Sequence, residues 1–586
     1  MSPDKARELA VLLLLVPCCA VAGLALLRAV RARSTPEVAA AAAFALLCLA
    51  GLQAWPAAGE PWRYPIACAR AAAPALVLAA WWSPPRLADK ATRVLAWSAA
   101  LAVMAYALRI IISYQPAVGD RDFFTYLLTA RDQLDRVTAS GAAQPVYFPG
   151  TYLPWELALA ATHRSLPALQ WFYTGILLLN GALVGAVVWR ATCSPCWTAF
   201  CAAAQLLLCI DLGASGGITE PIAILFPLGG ILLWNGEPLR GRRGLWLAAF
   251  LGAGFGCGIY CKQTAALVAL GFGILFLLRT RDATDQLSRL LLVPLCAAAT
   301  LAGLFGLHGG MTALRGGLHI IDSYKVMNDF SVNVSKPWHV LWPLPWLALG
   351  GLLSLVGLLL FRRELSQPWL RRAALLLSAG FWALYQYRTR PFLHYGLLSL
   401  PLLLAGTAGL LYVGWTQLRT AAPRAARAAA PALILLATAW LGGRDGDVGL
   451  ASRPGPLRFF SLSVDRPLLR EWPYGFPAQA QLEAIKPLLQ PGEGAFVISP
   501  MRNAAHFLLG TRSLGWPQGY GWGPPLPGDA ERAVADARVR TVIICRSLPN
   551  ELLEEVSSGA GAAIASLPSH GYRELISTAD VAVYRR

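Results

Sequence analysis

Charge is scarce in this chain. Only 14% of its 586 residues are charged, where a soluble protein carries about a quarter. That shortage excludes an ordinary soluble domain. Together with 56% hydrophobic residues, a mean hydropathy of +0.51 and many apolar runs of roughly 20 residues, it specifies a polytopic α-helical membrane protein. Acidic residues are scarcest, 32 against 50 Lys and Arg, for a net charge of +18. The excess excludes nucleic acid as the partner, because the arginines sit in short connectors between apolar runs, where the positive-inside rule puts them. Cysteine is nearly missing from the polar C-terminal region. Of the 12 cysteines only Cys545 lies there, so no disulfide can form within it. Cys193 and Cys196 have CxxC spacing but no partner pair, and read as small apolar core residues. A convincing cleavage site is lacking after the first apolar run, so 9–27 is expected to stay as a span. An internal repeat is lacking too, which argues against an inverted-repeat transporter.

What is present is a series of about fourteen spans, near 9–27, 38–54, 66–82, 94–112, 169–189, 196–211, 218–234, 244–260, 264–278, 290–307, 338–361, 373–386, 392–415 and 428–442. Alternate connectors are net positive. Arg28, Arg31 and Arg33 oppose Glu37; Arg86, Lys90 and Arg93 oppose Asp89; Arg190 is alone. Arg240, Arg242 and Arg243 oppose Glu237, and Arg279, Arg281 and Arg289 oppose Asp282 and Asp285. Arg362, Arg363, Arg371 and Arg372 oppose Glu364, and Arg419, Arg424 and Arg427 are unopposed. These connectors are therefore assigned to the cytoplasm. The other face collects the chemically capable residues: the loop 113–168, the turn at Asp211 to Glu220, Lys262 and Gln263, the lid-like loop 308–337, and Tyr387 to Arg390. It also receives both termini. The expected organisation is N-terminal spans over 1–93, a core over 94–442, and a small extracytoplasmic α/β domain over 443–586. That domain opens with a Gly/Asp/Arg/Pro-rich linker and continues in alternating helix-like and strand-like pieces, among them AFVISP, MRNAAHFLLG, VRTVIIC and VAVYRR.

The loop 113–168 is the longest polar interruption ahead of the linker. Asp120 and Asp122 open it. Phe123, Leu127, Ala130, Leu134 and Val137 then recur at helical spacing, with Asp122, Thr125, Thr129, Asp132 and Arg136 opposite. The spacing predicts a helix along the membrane surface, its aromatic and leucine face among the headgroups and its polar face in water. Read alone, Asp120 or Asp122 serves either as a helix cap or as a catalytic carboxylate. Asp120-Arg121-Asp122 has the DxD form that holds a metal on a diphosphate. Two carboxylates are too few ligands for a specified site, so no metal site is assigned, although a divalent cation stays compatible.

The first loop resembles that of the GT-C glycosyltransferases, multispan enzymes that use lipid-phosphate sugars. The likeness rests on Asp122 with Tyr126, in Asp-x-x-x-Tyr spacing after an outward-going span, and on the strip Tyr147, Pro149, Tyr152 and Pro154. Weaker echoes are Thr219-Glu220-Pro221, Lys262-Gln263-Thr264, Arg390-Pro391 and His394-Tyr395. The sequence departs from the protein O-mannosyltransferase and aminoarabinose-transferase branches in two respects. Phe123 stands where they carry Glu, and three or four spans, not one, precede the loop.

The resemblance implies a polyprenyl-phosphate sugar donor, an extracytoplasmic glycan, lipid or protein acceptor, and inverting displacement at the anomeric carbon. Asp122 would be the general base and Asp120 its assistant. Tyr126, Tyr147, Tyr152, Glu220 and Gln263 would line the substrate site. Lys262, Lys325, Arg388 and Arg390 are the cations available to the leaving phosphate, and His394 and Tyr395 could hydrogen-bond it. Each also has a plainer reading. Glu220 could be a solvated helix start, the arginines and His394 interface anchors, and Glu156, His163 and Arg164 headgroup contacts. A transporter or lipid-linked-oligosaccharide flippase is the alternative class. It predicts ionisable residues buried at mid-span. A ligase or polymerase, leaning on late-loop Arg and His, is another, and an inactive lipid-binding relative a fourth.

Overall fold

The computed structural model describes residues 121–136, 149–211, 217–234, 239, 241–277, 283–307, 368–383, 393–421, 479–499, 502–514, 528–545, 559–578 and 580–586, with positions 104, 107, 108 and 111. The spans expected at 9–27, 38–54, 66–82, 338–361 and 428–442, nearly all of 94–112, the loop 308–337 and the linker lie outside the described residues.

The loop forms two helices, α1 (Arg121–Leu134) and α2 (Pro149–Ala161). The aromatic-proline strip is thus helical from its first proline onward. Proline at a first helical position gives up only an amide that had no partner there. Apolar helices follow: α3 (Leu166–Thr192), α4 (Pro195–Asp211), α5 (Glu220–Trp234), α6 (Gly241–Cys261), α7 (Ala266–Leu277), α8 (Ala283–Leu307), α9 (Pro368–Ala383) and α10 (Leu400–Ala421). Among the described residues, α3 and α6 are by length and composition long and apolar enough to cross a membrane. The span expected at 392–415 is divided. A 3-10 helix, Leu393–Leu398, precedes α10, and Pro401 falls in the first turn of the α-helix.

Helix α6 lies at the centre of this assembly because its glycines admit backbones on two sides. A Cβ at Gly256 would meet the Ala297 carbonyl of α8 at 2.6 Å. A Cβ at Gly254 would meet the Phe226 carbonyl of α5 at 2.6 Å, and one at Gly258 the Ala223 carbonyl at 2.9 Å. Small residues let helices approach where lipid gives no hydrophobic drive for association. On the other side, Ser378 of α9 donates to the Gly271 carbonyl of α7 at 2.7 Å.

The C-terminal residues build a four-stranded sheet, β1 (Ala495–Ile498), β2 (Thr541–Cys545), β3 (Arg573–Ser577) and β4 (Val581–Arg585), in the order β1-β2-β4-β3. β1 and β2 run parallel, and β4 is antiparallel to both of its neighbours. Short helices accompany the strands: α11 (Gln479–Ile485), α12 (Arg502–Leu509), α13 (Asp529–Ala535) and α14 (Ala560–Ser566). β1 is buried throughout, as expected of a parallel strand covered on both faces. Glu493 ties the strands at their base, accepting from Thr541 Oγ1 and from Arg585 Nη2, each at 2.6 Å.

Candidate active site

Asp122 is the second residue of α1. The next residue, Phe123, is buried and meets Trp155 of α2 edge to face at 5.3 Å. Trp155 stacks on Tyr173 of α3 at 5.7 Å, and the Tyr173 hydroxyl donates to the Ile218 carbonyl at 3.0 Å. Phe123 also lies directly against Gly217, whose φ of +72° suits glycine, and a Cβ there would clash with the ring. The start of α1 is thereby joined to the segment that leads into Glu220. The same contacts explain why this position holds Phe. A carboxylate placed there would be a buried, unpaired charge.

Glu220, the first residue of α5, pairs with Lys262 just beyond α6, Nζ to Oε1 at 2.9 Å. Both are almost wholly buried, at 0% and 3% side-chain exposure. The solvated-start reading of Glu220 is therefore wrong, because the turn at 217–220 lies under Phe123 and Tyr173 and is not open to water. Lys262 Nζ also stands 5.9 Å from the centre of the Tyr395 ring, a cation–π distance. Around the pair, Thr219 Oγ1, both side-chain polar atoms of Gln263, Thr264 Oγ1 and Ser399 Oγ are buried without a hydrogen-bond partner among the described residues. Buried polar atoms in a finished core are nearly always satisfied. These are spare donors and acceptors beside a charged pair.

Helix α2 fixes the same corner. Thr151 Oγ1 donates to the Cys261 carbonyl at 2.5 Å, and Gly150 sits on the Tyr260 backbone, where a Cβ would come within 2.6 Å of the carbonyl oxygen. Tyr152 and Tyr126 are buried with ring centres 6.4 Å apart. Arg164 is ion-paired with Asp135, closing the loop back on the end of α1.

Tyr126, Tyr152, Glu220, Lys262, Gln263 and Tyr395 thus fall in one connected region, with Asp122 one residue from its aromatic wall. His394 is the second residue of the 3-10 helix that carries Tyr395. Asp120, Tyr147, Lys325, Arg388 and Arg390 lie outside the described residues. Among the described residues no three His, Cys, Asp or Glu side chains group closely enough to hold a metal ion.

The surface-helix expectation needs correction. Phe123, Leu127 and Ala130 are buried in the protein, and so are Thr125, Thr129 and Asp132 on the supposed watery face. The reason is the C-terminal domain, whose α12 lies on α1. Asn503 Nδ2 donates to Thr125 Oγ1 at 2.7 Å, and Phe507 faces Phe124 at 5.8 Å. Arg131 donates to the His506 carbonyl at 2.9 Å, to the Thr511 carbonyl at 2.8 Å, and to Asp132 at 3.0 Å. Burial, then Arg131 and Arg502, hold the His506 imidazole well below its usual pKa, so it is neutral, with Nδ1 2.9 Å from Thr511 Oγ1. Burial lowers Arg502 to about 10, against the pull of Asp529. Sequence reasoning missed Thr125, Arg131, Asn503 and His506 as partners. Nothing in their local pattern distinguishes a docked face from a solvated one.

The fold defines a helical membrane-type assembly with an α/β domain seated on its first described loop. No protein-family model matches the chain, and no curated protein does. Among solved structures, the chain is similar to ArnT from Cupriavidus metallidurans in the apo state (14% identity, TM-score 0.47, 83% of this chain and 96% of that one). It is similar to the same protein bound to undecaprenyl phosphate (14% identity, TM-score 0.45, 85% and 98%). It is also similar to the archaeal oligosaccharyltransferase AglB from Archaeoglobus fulgidus in complex with an inhibitory peptide and a dolichol-phosphate (11% identity, TM-score 0.42, 83% and 74%).

Proposed function

We propose that the chain is a membrane glycosyltransferase of the GT-C type, moving one sugar from a polyprenyl-phosphate donor to an acceptor outside the cytoplasm. The observation that carries this reading is the convergence of the Asp122 helix, through Phe123 and Gly217, on the buried Glu220–Lys262 pair, beside which hydroxyls and an amide have no partner among the described residues.

Asp122 acts as general base. It takes the proton of the acceptor nucleophile as that atom bonds to the anomeric carbon, with inversion. The bond between that carbon and the phosphate oxygen breaks, and its electron pair leaves on the polyprenyl phosphate. A phosphate monoester needs positive charge more than it needs a proton. Lys262 supplies that charge while Glu220 holds its Nζ in place. Arg388 and Arg390 add bidentate donors from the outer loop. Thr219, Gln263 and Thr264 offer neutral hydrogen bonds to sugar hydroxyls. The acceptor, whether glycan, lipid or protein, enters beside Asp122 and Tyr126. Asp120 assists Asp122.

A transporter would place its charged pair at mid-span. Glu220 and Lys262 stand at helix ends, which favours the enzyme. The decisive assay follows radiolabelled sugar from its polyprenyl-phosphate carrier in membranes, for the wild type, Asp122→Asn and Asp120→Asn. Loss of product in Asp122→Asn, with donor binding kept, supports the assignment. Full activity in that variant sinks the base, and solute transport without glycosyl product sinks the class.

A further inference from the structure

We propose that the C-terminal α/β domain is the positioning element of the loop helix, and that Arg131 is the strap through which it acts. This rests on the glycosyltransferase reading for its kinetic consequence, and on geometry alone for the contact.

Helix α1 has 14 residues, a length marginal for an isolated helix in water. Its place is therefore set by what covers it. One side meets the bundle through Phe123, Trp155 and Gly217. The other meets α12. At the last turn of α12, the negative end of its dipole, the His506 carbonyl accepts from the Thr511 amide at 3.1 Å and has a second lone pair to offer. Gly510, at φ +72°, turns the chain there and brings the Thr511 carbonyl beside that of His506. The Arg131 guanidinium spans both, at 2.9 and 2.8 Å, across 375 and 380 positions of sequence. It is 5% exposed, and Asp132 balances its charge. Two turns nearer Asp122, Asn503 grips Thr125. The domain thus holds α1 at both ends of its middle, and the first of these points is three residues from Asp122. A domain that only captured acceptor would not need to bury four polar residues of the loop helix.

The test uses the full-length protein in lipid nanodiscs, with Arg131→Ala, Arg131→Lys and Thr125→Val. Hydrogen exchange is followed in peptides covering 123–134 and in those of β1, β2 and β4. Arg131→Ala is expected to cut protection over α1 by about tenfold or more, with the sheet unchanged. It should lower kcat on the order of 10²-fold with donor KM moved less than about twofold, because misplacing a catalytic group costs rate, not ground-state binding. Arg131→Lys should recover part of both, since a point charge reaches one carbonyl and not two. Unchanged exchange over α1, or unchanged kcat in an active enzyme, overturns the proposal. Loss of sheet protection together with α1 overturns it too, by showing a general loss of folding. Should Arg131→Ala not accumulate, Thr125→Val decides in the same way with a smaller loss. Should the wild type yield no glycosyl product, the enzyme reading falls and the exchange arm alone judges the strap.

Discussion

Two buried charged clusters lie near α1, and they are finished to different degrees. At the domain contact, Arg131 spends its donors on two carbonyls and a carboxylate, and His506 is partnered by Thr511. Around Glu220 and Lys262, hydroxyls and an amide are left over among the described residues. Arg131, Asp132 and His506 have their partners, although Thr129 Oγ1 beside them has none among the described residues, and a paired buried network specifies a structure. A half-satisfied one has donors and acceptors to spare for a ligand. On the proposed function, the first cluster is architecture and the second a binding place.

Four substitutions or conditions break or sharpen that contrast. Asp122→Asn, in the loop helix between the clusters, should remove on the order of 10²–10⁴-fold of transfer rate and leave the thermal unfolding profile in place, measured on the same membranes. Lys262→Ala strands Glu220 in the interior and should cost about 3–5 kcal/mol of stability. In Glu220→Gln/Lys262→Met the loss should largely disappear while activity stays lost, which thermal melts and transfer assays on both variants would show. The third test is pH. His506 is neutral in the fold with its pKa depressed, and free to protonate when unfolded. The unfolded chain therefore binds more protons below about pH 6.5. Stability conferred by the neutral imidazole is complete above that value and is lost as pH falls from there toward the lower folded value. The slope is up to about 1.4 kcal/mol per pH unit. Unfolding of the wild type and His506→Gln across pH 4.5–7.5 should show the slope only in the former. The smallest effect is Thr219→Val. A hydroxyl with no partner among the described residues, replaced by a methyl of the same shape, should be neutral or slightly stabilising, while donor KM rises. A destabilised Thr219→Val would mean that its hydroxyl belongs to the structure and not to the ligand.

Much of the bundle was legible because hydrophobic length is a one-dimensional property. The runs expected at 169–189, 196–211 and 244–260 became α3, α4 and α6 with ends moved by a few residues. In the C-terminal region, AFVI, TVIIC and VAVYR carry their β-branched bias openly and form β1, β2 and β4. The fourth strand, RELIS, is mostly exposed and includes a register shift between Glu574 and Ile576. An edge strand of that kind has no alternation to read. The candidate site was legible as residue types only. Glu220 and Lys262 each stood out as a charge beside an apolar run, but their meeting crosses two helices and depends on α6 glycines that let α5 come close. Phe123 looked like an ordinary member of a helical stripe, and its contact with Gly217 is what brings the loop to the pair.

The face of α1 shows where the division falls. Periodicity alone determined that 121–134 is a helix with one apolar and one polar side, since helical spacing is a local property of the chain. It assigned the polar side to water, because water is the default partner of Thr, Asp and Arg. Only the tertiary structure decided that this side is covered. The partners that cover it, Asn503, His506 and Thr511, lie more than 370 positions away, and no local pattern encodes which distant surface will supply a hydrogen bond in place of the solvent.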